Sequence, residues 1–415
     1  MGGSDGAGRT VALRELEGDL VIGSRDAPGY TLSVVEGVAV DGTGRVYVAQ
    51  PMDRQVRVYD RDGRFVRTIG RGGGGLEEFQ HLTFIGLAGD SLWAIDPLAR
   101  RISFFDTAGR FLSSVRLPPL PGDGMGRPLR PFGGFRDGSL IATTGWGNDL
   151  PDEMRICRAD AASQEVTDTV ARFRDGLRAS YRVDFPGNHG FLRGPNPFFD
   201  GELWRPAPDG SAVFVVERQS ATDAAEASYG VTKLGVRGDT LYACRVRYAP
   251  RPIPKNAVGS IATDYVDRIR GYGVSLPVWE VETRVRDALN VPDFERPVTG
   301  IAPAVDGSLR IGREASDPRF WDVFDADGEL VARVAAPGGT EILLVDGDFA
   351  WAVEHDELEV PYVVRYRIVR RPGARGEGPD AICRRNVTSG LAPDVAVGPW
   401  TTDVRAGAGR SAATG

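Results

Sequence analysis

Few residues of this chain combine a reactive type with a setting in which to use it. Glu36 stands immediately before Gly37-Val38-Ala39-Val40, a short apolar run of strand character, so its carboxylate is placed at a strand end. One carboxylate does not hold a cation. Calcium requires several oxygen ligands, and Asn148, Asp149, Asn188 or Asn196 would have to converge on Glu36 to supply them. The loop Gly187-Asn188-His189-Gly190 offers His189 to a ligand, and Asn188, His189, Asn196 and Trp146 are the candidates for ligand contact. The three histidines, His81, His189 and His355, share no spacing that would make a zinc site. Cys157, Cys244 and Cys383 are odd in number, far apart and outside any Cys-x-x-Cys pattern. They imply no disulfide framework and read as small buried hydrophobes. Gly72 to Gly75 are followed by no Gly-Lys-Ser/Thr, so they read as a turn and not as a phosphate loop. The acidic run from Glu354 to Glu359 reads as the solvated end of a hairpin. No catalytic residue can be named, because spacing brings no Ser, His and Asp together.

Composition narrows the function classes. A formal charge of −7 and a pI near 5.3 give no global attraction for DNA, RNA or an anionic membrane surface. The 50 basic residues are nearly all arginine, with Lys233 and Lys255 the two lysines. Hydrophobic content of 41% over 415 residues is ordinary for a globular chain with a sizeable core, and 54 glycines point to many tight turns. The start, MGGSDGAGRT, has no basic segment followed by an apolar core, and no run of eighteen apolar residues suggests a membrane span.

The elements that must position these residues are short strands. Glu36 to Ile69 reads EGVAVDGTGRVYVAQPMDRQVRVYDRDGRFVRTI: successive apolar runs punctuated by Asp-Gly turns, with no room for a helix. A shift of 46 superimposes Tyr47 on Trp93, Pro51 on Pro97, Arg54 on Arg100, Tyr59 on Phe105, Asp60 on Asp106 and Gly63 on Gly109. A shift of 265 places Val58, Tyr59, Asp60 and Gly63 on Val323, Phe324, Asp325 and Gly328. Degenerate copies span Phe132 to Phe173 and Leu203 to Tyr248, and a last group from Glu341 to Val369 offers three strands. The orphan strand near 16–24 supplies the fourth, which closes a ring of six units. Insertions at 174–202 and 250–293 interrupt the repeat. The first reads as a Gly, Pro, Asn and aromatic loop. The second carries helical faces, Val258, Ile261, Tyr265 and Ile269 and then Val278, Val281, Val285 and Leu289. Residues 1–15 read as a flexible N-terminus and 371–415 as a disordered tail.

The pattern GVAVDGTGRVYVAQPMDRQVRVYDRDGRF, followed by IGRGGGGLEEF, resembles the NHL-type repeat of six-bladed β-propellers, over roughly residues 16–370. The resemblance implies an all-β, six-bladed β-propeller: four antiparallel strands per blade, a central channel, and a last blade completed by the N-terminal strand. It is similar to bacterial six-bladed propellers that are commonly exported. Lactonases of the gluconolactonase type place a calcium-binding glutamate in a Glu-Gly context like that of Glu36, which implies an alternative function as a calcium-dependent hydrolase. The expectation is instead a monomeric, non-catalytic propeller without a cofactor that binds a protein, peptide or carbohydrate at a channel mouth.

Overall fold

Local turn chemistry sets the fold. The Asp41 carboxylate accepts hydrogen bonds from the N–H groups of Thr43 and Arg45, at 2.9 and 3.0 Å, and Asp60 does the same for Asp62 and Arg64. An acceptor side chain just upstream of these amides closes the turn within the chain and leaves the flanking apolar runs to pair with one another. Gly44 and Gly63 finish the two turns at φ of +84° and +78°, where a Cβ would clash.

This computed structural model describes residues 10–23, 27, 29–117, 130–143, 154–161, 163, 165–173, 180–184, 191–254, 256–257, 259–261, 263, 277–289, 291–313, 319–338 and 340–385. After β1 (Thr10–Ile22), blade 1 is β2 (Gly37–Val40), β3 (Val46–Gln50), β4 (Gln55–Tyr59) and β5 (Phe65–Ile69). The two-residue strands β6 (Arg71–Gly72) and β7 (Glu78–Phe79) lie on the way to blade 2, which is β8 (Ile85–Ala88), β9 (Ser91–Asp96), β10 (Arg101–Asp106) and β11 (Phe111–Arg116). Blade 3 is β12 (Arg130–Gly134), β13 (Leu140–Thr143), β14 (Met154–Ala159) and β15 (Val166–Phe173). The hairpin β16 (Ser180–Asp184) and β17 (Phe191–Pro195) precedes blade 4, formed by β18 (Leu203–Pro206), β19 (Ala212–Glu217), β20 (Ser228–Gly235) and β21 (Thr240–Arg247). Helix α1 (Val278–Leu289) precedes blade 5, which is β22 (Val298–Pro303), β23 (Leu309–Arg313), β24 (Arg319–Phe324) and β25 (Leu330–Ala336). Blade 6 is β26 (Glu341–Asp346), β27 (Phe349–His355), β28 (Pro361–Glu377) and, as its fourth strand, β1.

The first strands of blades 1, 2, 4, 5 and 6 are innermost, since β2 touches β8 and β26 while β22 touches β18 and β26. Apolar side chains fill the seams between blades rather than one central core. Tyr47 and Phe105 share the seam of blades 1 and 2, Phe214 and Leu309 that of blades 4 and 5, and Trp321 and Ile342 that of blades 5 and 6.

Ring closure follows the expected plan, with β1 antiparallel to β28 from Thr10 opposite Glu377 to Ile22 opposite Val363. Two details differ at the ends. Strand β1 begins at Thr10, inside the segment read as flexible, because Ala12–Glu15 also pair in parallel with Ala332–Ala335 of β25. This fuses blades 5 and 6 into one eight-stranded sheet. Past residue 370, where the sequence suggested a disordered tail, β28 continues to Glu377, and β29 (Ala381–Arg385) adds a fifth strand to β21 of blade 4. Free strand edges, which no periodicity reveals, order this segment. Cys244 and Cys383 face each other in that pairing and form a disulfide, against the reading of both as separate buried hydrophobes, whereas Cys157 is free and buried.

The second insertion is helical as expected, whereas the first, read as a loop, carries the antiparallel hairpin β16–β17. Val281, Val285 and Leu289 form the buried face of α1, which packs against β16. Val258, Tyr265 and Ile269 lie outside the described residues. No described helix is long and apolar enough to cross a membrane.

Candidate functional site: the insertion-bearing mouth

Antiparallel order decides which loops share a face. The turn from second to third strand and the connection from one blade to the next must both fall at the end where the innermost strand begins. Glu36, both insertions and the turns 51–54, 97–100 and 356–360 therefore surround one mouth of the channel.

Polar side chains at the ends of second strands hold the incoming connections in place. Gln50 accepts a hydrogen bond from the Ser33 N–H at 2.8 Å and donates to the Val34 carbonyl at 2.8 Å. At the same place in blade 2, buried Asp96 accepts from the N–H groups of Gln80 and His81, at 2.6 and 3.2 Å, and from Ala99 at 2.9 Å. In blade 4 the buried Arg218 donates to Gly201 and Val298 carbonyls at 2.7 and 3.0 Å. Burial first, and the neighbouring Arg296 after it, bring its pKa down to about 10. In blade 6, Glu354 accepts from the hydroxyls of Thr340 and Tyr362, each at 3.1 Å, and from that of Tyr366. Burial, and then the bond to Glu354, push both tyrosines above their usual pKa. Glu354 is thus a structural anchor rather than part of a solvated hairpin end. The hairpin turn itself is made by Asp356, which accepts from the Leu358 and Val360 N–H groups. Sequence reading missed this device, although Gln50 and Asp96 are 46 positions apart and so occupy the same place in the repeat.

Of the candidate ligand residues, Glu36 is exposed on the connection that Gln50 holds. Asn196 is engaged within the chain: its Nδ2 donates to the Leu289 carbonyl at the end of α1, at 3.3 Å, and its Oδ1 accepts from the Phe198 N–H at 2.9 Å. It ties one insertion to the other. Trp146, Asn148, Asp149, Asn188 and His189 lie outside the described residues. Among the described residues no group of three or more His, Cys, Asp and Glu side chains is disposed to hold a metal ion.

What the mouth does display is apolar surface. Met52, Leu98 and Leu358 sit in the three turns between second and third strands, at 72%, 57% and 69% exposure. Leu76 and Val34 stand exposed on the connections into blades 2 and 1, and Val278 and Trp279 on α1, Trp279 being 68% exposed. The other large apolar side chains exposed among the described residues lie on the outermost strands, except Val305 in a turn at the opposite mouth. The three turns also share a backbone feature: Arg54, Arg100 and Glu359 take positive φ, at 54°, 54° and 59°. Their N–H groups bond back to the carbonyls of Pro51, Pro97 and Asp356. A non-glycine residue in this region costs roughly 1 kcal/mol or more, so the turns are held in one shape by what surrounds them.

The DUF5128 family, described as 6-bladed beta-propeller, matches residues 32–126, which covers blades 1 and 2. The chain is a six-bladed β-propeller. No curated protein sequence matches it. Among solved structures, a Bacteroides fragilis protein is 11% identical, with 86% of this chain and 96% of that chain covered and a TM-score of 0.46. Virginiamycin B lyase from Staphylococcus aureus is 12% identical, with coverages of 86% and 100% and a TM-score of 0.41. Regucalcin, a calcium-binding protein from Agrobacterium tumefaciens, is 12% identical, with coverages of 87% and 97% and a TM-score of 0.39. Likenesses this weak carry nothing over to this chain.

Inside the propeller, Arg205 on β18 is exposed to solvent although ringed by protein. Burial pulls its pKa down, and Glu341 on β26 pulls it up.

Proposed function

We propose that this propeller is a non-catalytic binding module that takes a protein or peptide segment bearing apolar side chains across its insertion-bearing mouth. The observation that supports the reading is the concentration of exposed Met52, Leu76, Leu98, Leu358 and Trp279 at one end of the channel, against Val305 at the other. Met52, Leu98 and Leu358 fall in blades 1, 2 and 6, which are consecutive around the ring, and Trp279 stands on the far side between blades 4 and 5. Apolar anchors on rigid turns around a concave opening are what a partner segment needs to gain affinity without ordering the receptor.

The test selects binding peptides from a displayed library on the full chain and measures their affinity by fluorescence anisotropy. The triple variant M52E/L98E/L358E is expected to weaken binding at least tenfold, and V305E to leave it within twofold. Equal affinity in the triple variant overturns the proposal. So does calcium-dependent lactone hydrolysis that Glu36→Gln abolishes.

A further inference from the structure

Buried guanidinium groups need acceptors, and the seam between blades 5 and 6 is short of them. Arg310 on β23 is 5% exposed. Across the sheet from it, Val323, Ala332 and Ala12 follow in register, and two residues on from Ala12, on the same face, comes Arg14. That face packs against blade 6: Val323, Ala332 and Val334 share a cluster with Ile342, Val345 and Ile368, and Leu16 of β1 packs on it. Arg14 and Arg310 therefore project into one seam.

Their acceptors fall short. Arg310 Nη1 reaches the Ser308 hydroxyl and lies 3.9 Å from the Asp306 carboxylate, while its Nε is buried without a hydrogen bond. Arg14 Nε is likewise buried and unsatisfied, and among the described residues its side chain makes no hydrogen bond or ion pair. Directly opposite Arg14, β28 places a third arginine, Arg370, 4.0 Å from Asp348. Both carboxylates stand largely in solvent, with side chains 66% and 73% exposed, so they offset little of the charge inside the seam. Two guanidinium groups inside the seam, with Arg370 at its exposed edge, face two exposed carboxylates, and like charges paired across strands repel. Burial first, and the nearby Arg370 after it, lower the pKa of Arg14, and burial brings that of Arg310 to about 10. A fold that selects arginine here without supplying acceptors is incomplete until an anion enters.

We propose that the seam between blades 5 and 6 binds a small oxyanion, a phosphate or a carboxylate, held by Arg14 and Arg310 with Arg370 at its rim, and that the bound anion fastens the closing strand β1. Guanidinium groups bond such oxygens in pairs, which suits them better than a single-point cation would.

Thermal unfolding of the full chain at matched ionic strength tests this, with inorganic phosphate in one arm, malonate in the other and chloride as the blank. The expected result is a saturating rise in Tm with at least one oxyanion and a midpoint at least tenfold weaker in R14Q, a change at a half-buried position. A rise that does not saturate, or one no larger than with chloride, overturns the proposal, as does an unchanged midpoint in R14Q. Should R14Q fail to fold, calorimetric titration of the wild type decides. One phosphate or malonate bound per chain is expected, and no binding of either overturns the site.

Discussion

Breaking the bond between Cys244 and Cys383 perturbs one connection of known reach. The two cysteines face each other between β21 and β29 and are 139 residues apart in sequence. In the chain-entropy model, closing a loop of that size in the unfolded state stabilises the fold by about 5 kcal/mol. Unfolding entropy of about 2 cal/mol/K per residue over 415 residues converts this into a fall in Tm of about 6 °C on reduction, or in C383S. Apart from the disulfide, β29 is held by its ladder to β21 at the sheet edge and by Arg385, whose Nε donates to the Asp327 carbonyl at 3.2 Å, while Ile382 is 62% exposed. Reduction is therefore expected to free β29 before the blades melt, with amide exchange rising first across Thr240–Arg247. Thiol titration supplies the control. Cys157 is buried, and burial pushes its pKa up to about 11, so protein prepared without reductant should show no reactive thiol when native and one when denatured. Three should appear after reduction. Three thiols in the denatured, unreduced protein, or an unchanged Tm after complete reduction, would refute the reasoning.

Removing residues 1–22 strips blade 6 of its fourth strand and cuts the bridge to β25, leaving β28 and β25 with open edges; oligomers or aggregates are expected in size-exclusion chromatography, and a monomer of unchanged Tm would contradict the closure. Asp137 is held at a pKa of about 2, chiefly by the Ser139 hydroxyl and further by Arg158 at 2.7 Å. Because this folded value lies below the ordinary one, its stabilisation is complete above about pH 4 and is lost as pH falls toward 2. With the side chain 37% exposed, screening leaves about 1 kcal/mol of it, so D137N should lower urea-unfolding stability by that amount at pH 7 and by progressively less below pH 3. A cost that does not change with pH would rule out the carboxylate as its source.

The repeat was legible because its information is local. Asp41 and Asp60 make their turns with amides two and four residues away, and a shift of 46 that aligns Arg54 with Arg100 by type also aligns them by backbone, both at φ of 54°. What stayed hidden depends on partners remote in sequence. Nothing in the spacing of Cys244 and Cys383 says that the chain returns from blade 6 to the edge of blade 4. Nor does Ala381-Ile382-Cys383-Arg384-Arg385 alternate in a way that announces a strand. The candidate site divides along the same line. Sequence pointed to residues in loops, yet Asn196, picked for its type, has both polar ends spent on the chain itself. Met52, Leu98 and Leu358 carry no signal singly, since one apolar residue in an exposed turn is ordinary. Only ring topology makes them informative, by bringing three turns 46 and more residues apart to the same end of the channel. A binding face assembled that way is a property of the closed ring. Anything that opens the ring at β1 should therefore weaken recognition at the mouth even though β1 contributes none of the mouth's exposed apolar anchors.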